Sequence, residues 1–537
     1  MNETFYSMKE KTEHWVENPV LRGFHPDPSI VRAGADYYVA TSTFEWFPGA
    51  RLHHSRDLRQ WRAAGWALTR RGQLDLEGNA DSGGVWAPCL SWSGGRFYLV
   101  YTDVKQWNRG PYKVAHNYVV TAERAAGPWS DPVYLHSRGF DPSLFHDTDG
   151  RKYLLAMVWD HRPERERFGG IVATEWDEAT GCLRGKTRLI YRGTGWGRVE
   201  GPHIYRRGGW YYLLTAEGGT GYGHRCSVAR ARSLWGPYED SPHGPLLTAH
   251  DAPDHPLQKA GHGSLVETPE GAWYLAHLCA RPRGPERRCV LGRETALQRV
   301  EWTNEGWPLV EGGPLPAVRI RAGAAAADGL PAAEAAPFPG GTDLGLDWQS
   351  LRRPVEESWC SLRARPGWLR LFGEEPPGSP FRQSLVGRRV QSWHCSAEVR
   401  MEFSPTEFQQ EAGLGAYYDG AHYYFAGVAA EDDGSRWIRL TAVMGGAAVL
   451  PDGGRRRLVE SGAVDLRGTL SGETLRFHYR ETGAEDWTPL GPELDATVLS
   501  DDYGALTFTG AFWVLGAHDA TGRRAPADFK DFMYEEQ

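Results

Sequence analysis

SIVRAGADYYVATS, residues 29–42, is a short apolar strand, a polar turn and a second strand rich in tyrosine. The same sentence is written four more times: CLSWSGGRFYLVYT at 89–102, SLFHDTDGRKYLLA at 143–156, HIYRRGGWYYLLTA at 203–216 and SLVETPEGAWYLAH at 264–277. Short aromatic and β-branched runs divided by Gly or Asp turns read as hairpins, and helical periodicity is scarce, so the chain reads as all-β. The anchors Ser29, Cys89, Ser143, His203 and Ser264 stand 54 to 61 residues apart. A regular period of that size, with room for about four strands, is the signature of a propeller blade. RLHHSRDLRQW from Arg51, NYVVTAERAAGPW from Asn117 and CSVARARSLWGPY from Cys226 supply outer strands. A solenoid would also repeat, but five aromatic hairpins at this period favour closure into a ring.

Outward from the repeat, the five-bladed β-propeller is expected to close near Arg319, after ETALQRVEW, giving a domain of residues 1–320. Residues 321–342 are rich in Ala, Gly and Pro and read as linker. Residues 343–537 stay β but lose the period, as in SWHCSAEVRMEF, RWIRLTAVM, ETLRFHYRE and the closing FKDFMYEEQ. Alternation and turns there suggest a jelly-roll β-sandwich.

A chain of 537 residues exceeds what one core usually organises. Sixty basic and 68 acidic residues give a net charge of −8, which argues against a nucleic-acid partner. No apolar run approaches a membrane span, and residues 1–15 have no apolar core of a secretory leader. The seven cysteines are odd in number, scattered and without CxxC spacing, which suits a reducing, cytoplasmic compartment. Aromatic faces suit sugar C–H surfaces, although most of the 23 tryptophans should be core.

In a propeller the starts of the innermost strands converge on a central cavity. The residues before the five anchors read HPDP, WAP, FDP, EGP and GHG. Asp27, Asp141 and Glu200 are therefore expected at equivalent positions facing one cavity, with Trp86 and His262 from the other blades. Asp-Pro alone is an ordinary turn dipeptide, a histidine is often a satisfied core residue, and a tryptophan usually packs. Three acids aimed at one cavity, however, cost stability by mutual repulsion, and structure alone gives no motive for them. Hydrolysis of a glycosidic bond needs two carboxyls, one protonated to aid the leaving oxygen and one ionised to activate water; a third can orient the acid and raise its pKa.

At these motifs the sequence resembles glycoside hydrolase family 43, and within it the bacterial β-xylosidases with a C-terminal sandwich. The resemblance runs through residues 18–58, DSGGVWAPCLSW, RGFDPSLFHDTDGRKYLL, RVEGPHIYRRGGWYYLLTAEGGTGYGH, QKAGHGSLVETPEGAWYLAHL and RRCVLGRETALQRVEW, and FTGAFWVLGAHDATGRRAPADFKDF resembles the C-terminal signature. It implies Asp27 as general base, Glu200 as general acid and Asp141 as pKa modulator of an inverting exo-enzyme acting on xylooligosaccharides. It also implies an aromatic wall from Phe44 and Trp86, a pocket shaped by Trp159, and a substrate-binding arginine, Arg293 with Arg288 as its rival. Phe508 and Phe512 are the candidates for a loop lent by the sandwich. His262 matches a histidine at the cavity floor that in relatives contacts water or a divalent cation, so a Ca2+ there is one expectation, with no cofactor required for the chemistry. A homo-oligomer, dimer or tetramer, is expected. Gly223 in GTGYGH stands where relatives often carry an acid. The competing readings are an α-L-arabinofuranosidase or dual enzyme, a non-catalytic carbohydrate-binding protein, and a structural interaction propeller.

Overall fold

The computed structural model describes residues 15–322, 344–459, 462–504 and 506–537. Its N-terminal part is five antiparallel sheets arranged as blades, each made from one continuous stretch of chain. The innermost strands are Ser29–Ala33, Gly84–Ser93, Ser143–His146, Glu200–Arg207 and Gln258–Glu267. These hold the five repeated hairpins, so the period seen in the sequence is the blade period. Among the described residues the helical content is one 3-10 turn, Ala496–Leu499.

Polar anchor side chains stitch the blades together. Ser29 Oγ accepts from Leu90 N in the second blade at 2.9 Å, and Ser264 Oγ accepts from Ile30 N in the first at 3.1 Å. The Tyr205 hydroxyl accepts from Leu265 N at 2.7 Å. Such buried groups would be costly unpaired, so they fix the contact between inner strands. Ring closure uses a strap that the sequence reading missed. Trp15–Glu17 pairs antiparallel with Arg319–Arg321, and the Asn18 amide bonds Leu297 O, Ala317 O and Leu297 N of the fifth-blade region. A three-residue strand is too short to show periodicity.

The start of every inner strand has one shared backbone feature. Two residues before each anchor φ is positive: 54° at Asp27, 36° at Ala87, 53° at Asp141, 55° at Gly201 and 43° at His262. Non-glycine residues seldom occupy this region. The register corrects the expectation of three equivalent acids. Asp27 and Asp141 stand two residues before their anchors, but Glu200 stands three before, alongside Trp86 and Phe140.

The C-terminal part is a sandwich of a nine-stranded and a seven-stranded sheet. Trp359, Leu371, Met401, Leu414, Phe477 and Trp513 lie in its core. The larger sheet does not end within the sandwich. Its edge strand is Trp46–Phe47, contributed by the first blade and paired with Ser350 and Leu351. Trp46 stacks on Phe512 with ring centroids 3.8 Å apart, and both are fully buried. Most of the expected linker, from residue 323 onward, lies outside the described residues.

Candidate active site

A cavity of about 440 Å³ opens at the blade starts, lined by Asp27, Asp141, Glu200, His262 and Arg293. Asp27 is 7 % exposed. Its Oδ2 accepts from Ser42 Oγ at 2.6 Å, and its Oδ1 lies 3.4 Å from Arg293 Nη1 and 3.9 Å from His262 Nδ1. Ser42 is itself oriented, because its Oγ accepts from Ala87 N at 2.8 Å. Burial alone would raise the Asp27 carboxyl, but Arg293, His262 and Ser42 outweigh it and hold the group below its ordinary value.

The other two acids are pushed the opposite way. Burial, then Glu200 and Asp27, raise Asp141 well above the usual carboxylate range, while Asp141 Oδ2 accepts from Gly201 N at 3.1 Å. Burial and Asp27 likewise raise Glu200, against the pull of Arg293, Lys113 and Arg198. The surroundings thus favour the ionised form of Asp27 and the protonated forms of Asp141 and Glu200. Gly201 occupies the Asp27-equivalent position of its blade for a packing reason: a Cβ there would sit 3.0 Å from the His262 ring.

Aromatic rings wall the cavity. Phe508, from the irregular segment before the strand Phe512–Asp519, stacks on Phe44 at 5.9 Å and meets Trp86 at 5.4 Å and Trp107 at 4.8 Å. Arg293, 3 % exposed, donates to Thr220 Oγ1 at 2.7 Å and to Phe508 O at 2.8 Å. Trp159 lines the cavity too, with its indole N–H fixed on Pro111 O at 2.8 Å.

Two expected residues are elsewhere. Phe512 does not line the cavity; it begins a central strand of the larger sheet and fills the seam between sandwich and propeller against Trp46 and Phe24. Arg288 is also outside. Its backbone pairs with Arg283 and its guanidinium lies 5.5 Å from the Tyr503 ring, so of the two expected arginines Arg293 is the one that lines the cavity, together with Arg167 and Arg198.

The sequence reading missed Trp107, Lys113, Phe140, Thr220 and His224, all lining the cavity. Lys113 Nζ lies 4.4 to 5.8 Å from the Trp86, Trp107, Phe140 and Trp159 rings, and burial lowers its pKa to about 8. Phe140 was findable, since it holds the register of Trp86 and Glu200. Lys113 and His224 sit on connections that do not repeat.

Around His262 the described residues form no group of three metal-type ligands. The group that does have such spacing, Cys289, Asp501 and Asp502, surrounds the ammonium of Lys259.

Both parts of the chain match known proteins. Residues 16–308 match "Glycosyl hydrolases family 43", and residues 338–535 match "Beta xylosidase C-terminal Concanavalin A-like domain". The chain belongs to glycoside hydrolase family 43. A family 43 relative named xylosidase/arabinosidase 43B, from Humicola insolens, is 48% identical over 530 residues, covering 97% of each chain. A β-xylosidase of Bacillus subtilis is 45% identical, covering 97% of this chain and all of its own. The crystal structure of a xylan β-1,4-xylosidase from Bacillus halodurans superposes with a TM-score of 0.94 at 49% identity, covering 97% of this family 43 chain and all of that one.

Proposed function

We propose that this glycoside hydrolase is an exo-acting, inverting β-xylosidase releasing D-xylose from the non-reducing end of β-1,4-xylooligosaccharides. Asp27 is the general base, Glu200 the general acid and Asp141 the group that orients the acid and keeps its proton on. The carrying observation is the opposite push on the carboxyls: Asp27 is held ionised by Arg293, His262 and Ser42, while burial and neighbouring acids keep a proton on the Asp141–Glu200 pair. A base on one side and an acid on the other match a single displacement by water. Phe44, Trp86 and Phe508 supply faces for the apolar side of a sugar ring, and Arg293 supplies the charged donor. The chemistry uses two carboxyls and a water, and no step is routed through a metal.

Arabinofuranosidase side activity is a second reading, supported by the xylosidase/arabinosidase name of the Humicola insolens relative. A homo-oligomer and a cytoplasmic location remain part of the proposal; seven free cysteines, six of them buried, suit a reducing compartment. The deciding experiment is turnover of xylobiose, aryl β-xyloside and aryl α-arabinofuranoside, with proton NMR of the first-formed sugar. α-Xylose appearing first from a β-xyloside supports the scheme, and β-xylose first overturns inversion. Preference for the arabinofuranoside would move the chain to the second reading.

A further inference from the structure

We infer that Lys259 is a positioning residue for one wall of the sugar pocket: clamped by Asp501 and Asp502, it holds the sandwich segment that presents Phe508. The inference rests on the reading of the cavity as a sugar site.

Lys259 lies near the start of the fifth blade's inner strand, three residues before His262, with φ of 53°. Its side chain is fully buried. Nζ lies 3.1 Å from Asp501 Oδ1 and 2.8 and 2.7 Å from the two oxygens of Asp502. A buried ammonium is expensive to desolvate, and an apolar side chain of similar volume often serves stability as well. The charge is therefore better explained by the geometry it enforces than by fold stability alone.

That geometry is a propeller residue holding a non-repetitive stretch of the other domain. Among the described residues past Asp502, no strand comes before Phe512. Thr507 N donates to Asp501 O at 3.3 Å, and the Tyr418 hydroxyl bonds Thr507 Oγ1 at 2.7 Å. Phe508 N then donates to Ser82 Oγ at 2.9 Å, while Phe508 O accepts from Arg293. The segment also lies very close to the loop carrying Arg293: a Cβ on Gly292 would meet Thr509 O at 2.6 Å. One residue thus bears on two walls, because the carbonyl of Lys259 also bonds His224 Nδ1 at 3.1 Å and His224 lines the cavity.

The test uses the full chain carrying Asp502→Asn, Lys259→Met, Lys259→Arg or Phe508→Ala, and the Asp502→Asn/Phe508→Ala double variant. Asp502 is the less buried partner, so its variant stands in should Lys259→Met fail to fold. The expected result on xylobiose is a rise in KM of about tenfold for Asp502→Asn and Lys259→Met, with kcat within about threefold and partial recovery in Lys259→Arg. Added to Phe508→Ala, Asp502→Asn should change KM by less than about twofold, because both act through one wall. A folded Asp502→Asn with unchanged KM, or full additivity with Phe508→Ala, overturns the inference. Hydrogen exchange separates this from failure of the functional reading. Even if wild type cleaves no xyloside, amides of residues 506–509 should exchange at least about tenfold faster in Asp502→Asn, and unchanged protection refutes the clamp.

Discussion

Asp27 and Glu200 are the same chemistry in two surroundings. In the proposed scheme Asp27 acts as base only while ionised, and its lowered pKa favours that form as pH falls. Glu200 acts as acid in that scheme only while protonated, and its raised pKa favours that form as pH rises. Asp27→Asn should lower kcat on every substrate by about 10²–10⁴-fold, since an amide cannot take the proton of the attacking water. Near-normal turnover of xylobiose by that variant would remove Asp27 from the mechanism. Glu200→Ala should lose about 10²–10⁴-fold on xylobiose but far less on a xyloside with an activated aryl leaving group, which needs little protonation. Equal losses on both would contradict the acid role. Asp141→Asn tests the pair. Glu200 raises Asp141 by like-charge repulsion; if the two carboxyls titrate as a pair, removing one charge should let the remaining proton leave at lower pH. The basic limb of the kcat/KM profile should shift to lower pH, with the acid limb in place; an unmoved basic limb would show that Asp141 does not influence the acid.

At the scale of the strand starts, the residue two before the anchor is left-handed in all five blades, and the scaffold tolerates Asp, Ala and His there. The backbone is therefore not what demands glycine at 201. The demand comes from His262, whose ring atoms would lie 3.0 to 3.2 Å from a new Cβ. Gly201→Ala should cost about 1–3 kcal/mol by overpacking, read as a lowered Tm, and should weaken activity by displacing His262 and the Gly201 N–H bond to Asp141. An unchanged Tm and kcat would mean that the His262 ring yields freely. This register also sets what the sequence disclosed. The hairpin period located the blades and the stretches before the anchors, hence Asp27, Asp141 and Glu200. Counted to the residue, it separates an inner set, Asp27, Asp141 and His262, from the Trp86, Phe140 and Glu200 set, and would have yielded Phe140. It carried no information on Lys113, Thr220 or His224, which lie on connections of differing length. Nor could it separate Phe508 from Phe512, because burial against Trp46 depends on how the sandwich meets the propeller.

At the scale of the whole molecule, the sandwich is continuous with the catalytic domain. The strand Trp46–Phe47 leaves the first blade to complete the larger sheet, two residues beyond Phe44 of the pocket wall and four beyond Ser42, the partner of Asp27. Arg352 ties the same segment down: its N–H donates to Glu45 O at 2.9 Å and its side chain bonds Asn79 O and Asp81. Arg389 of the sandwich donates to Phe24 O at 2.9 Å, three residues before Asp27. A chain ending at residue 322 would lose these partners, leave an unpaired apolar edge at Trp46 and Phe47, and remove Phe508 from the pocket. That fragment should aggregate or, if soluble, lose at least about 10²-fold in kcat/KM on xylobiose, the scale of misplacing groups around the reacting bond. The full-length variant Trp46→Ala is the milder version. It removes a buried ring and should cost about 3–5 kcal/mol of stability, with KM rising as the Phe44 wall loosens. A soluble propeller fragment with unchanged kcat and KM would instead make the sandwich a detachable module and Phe508 dispensable.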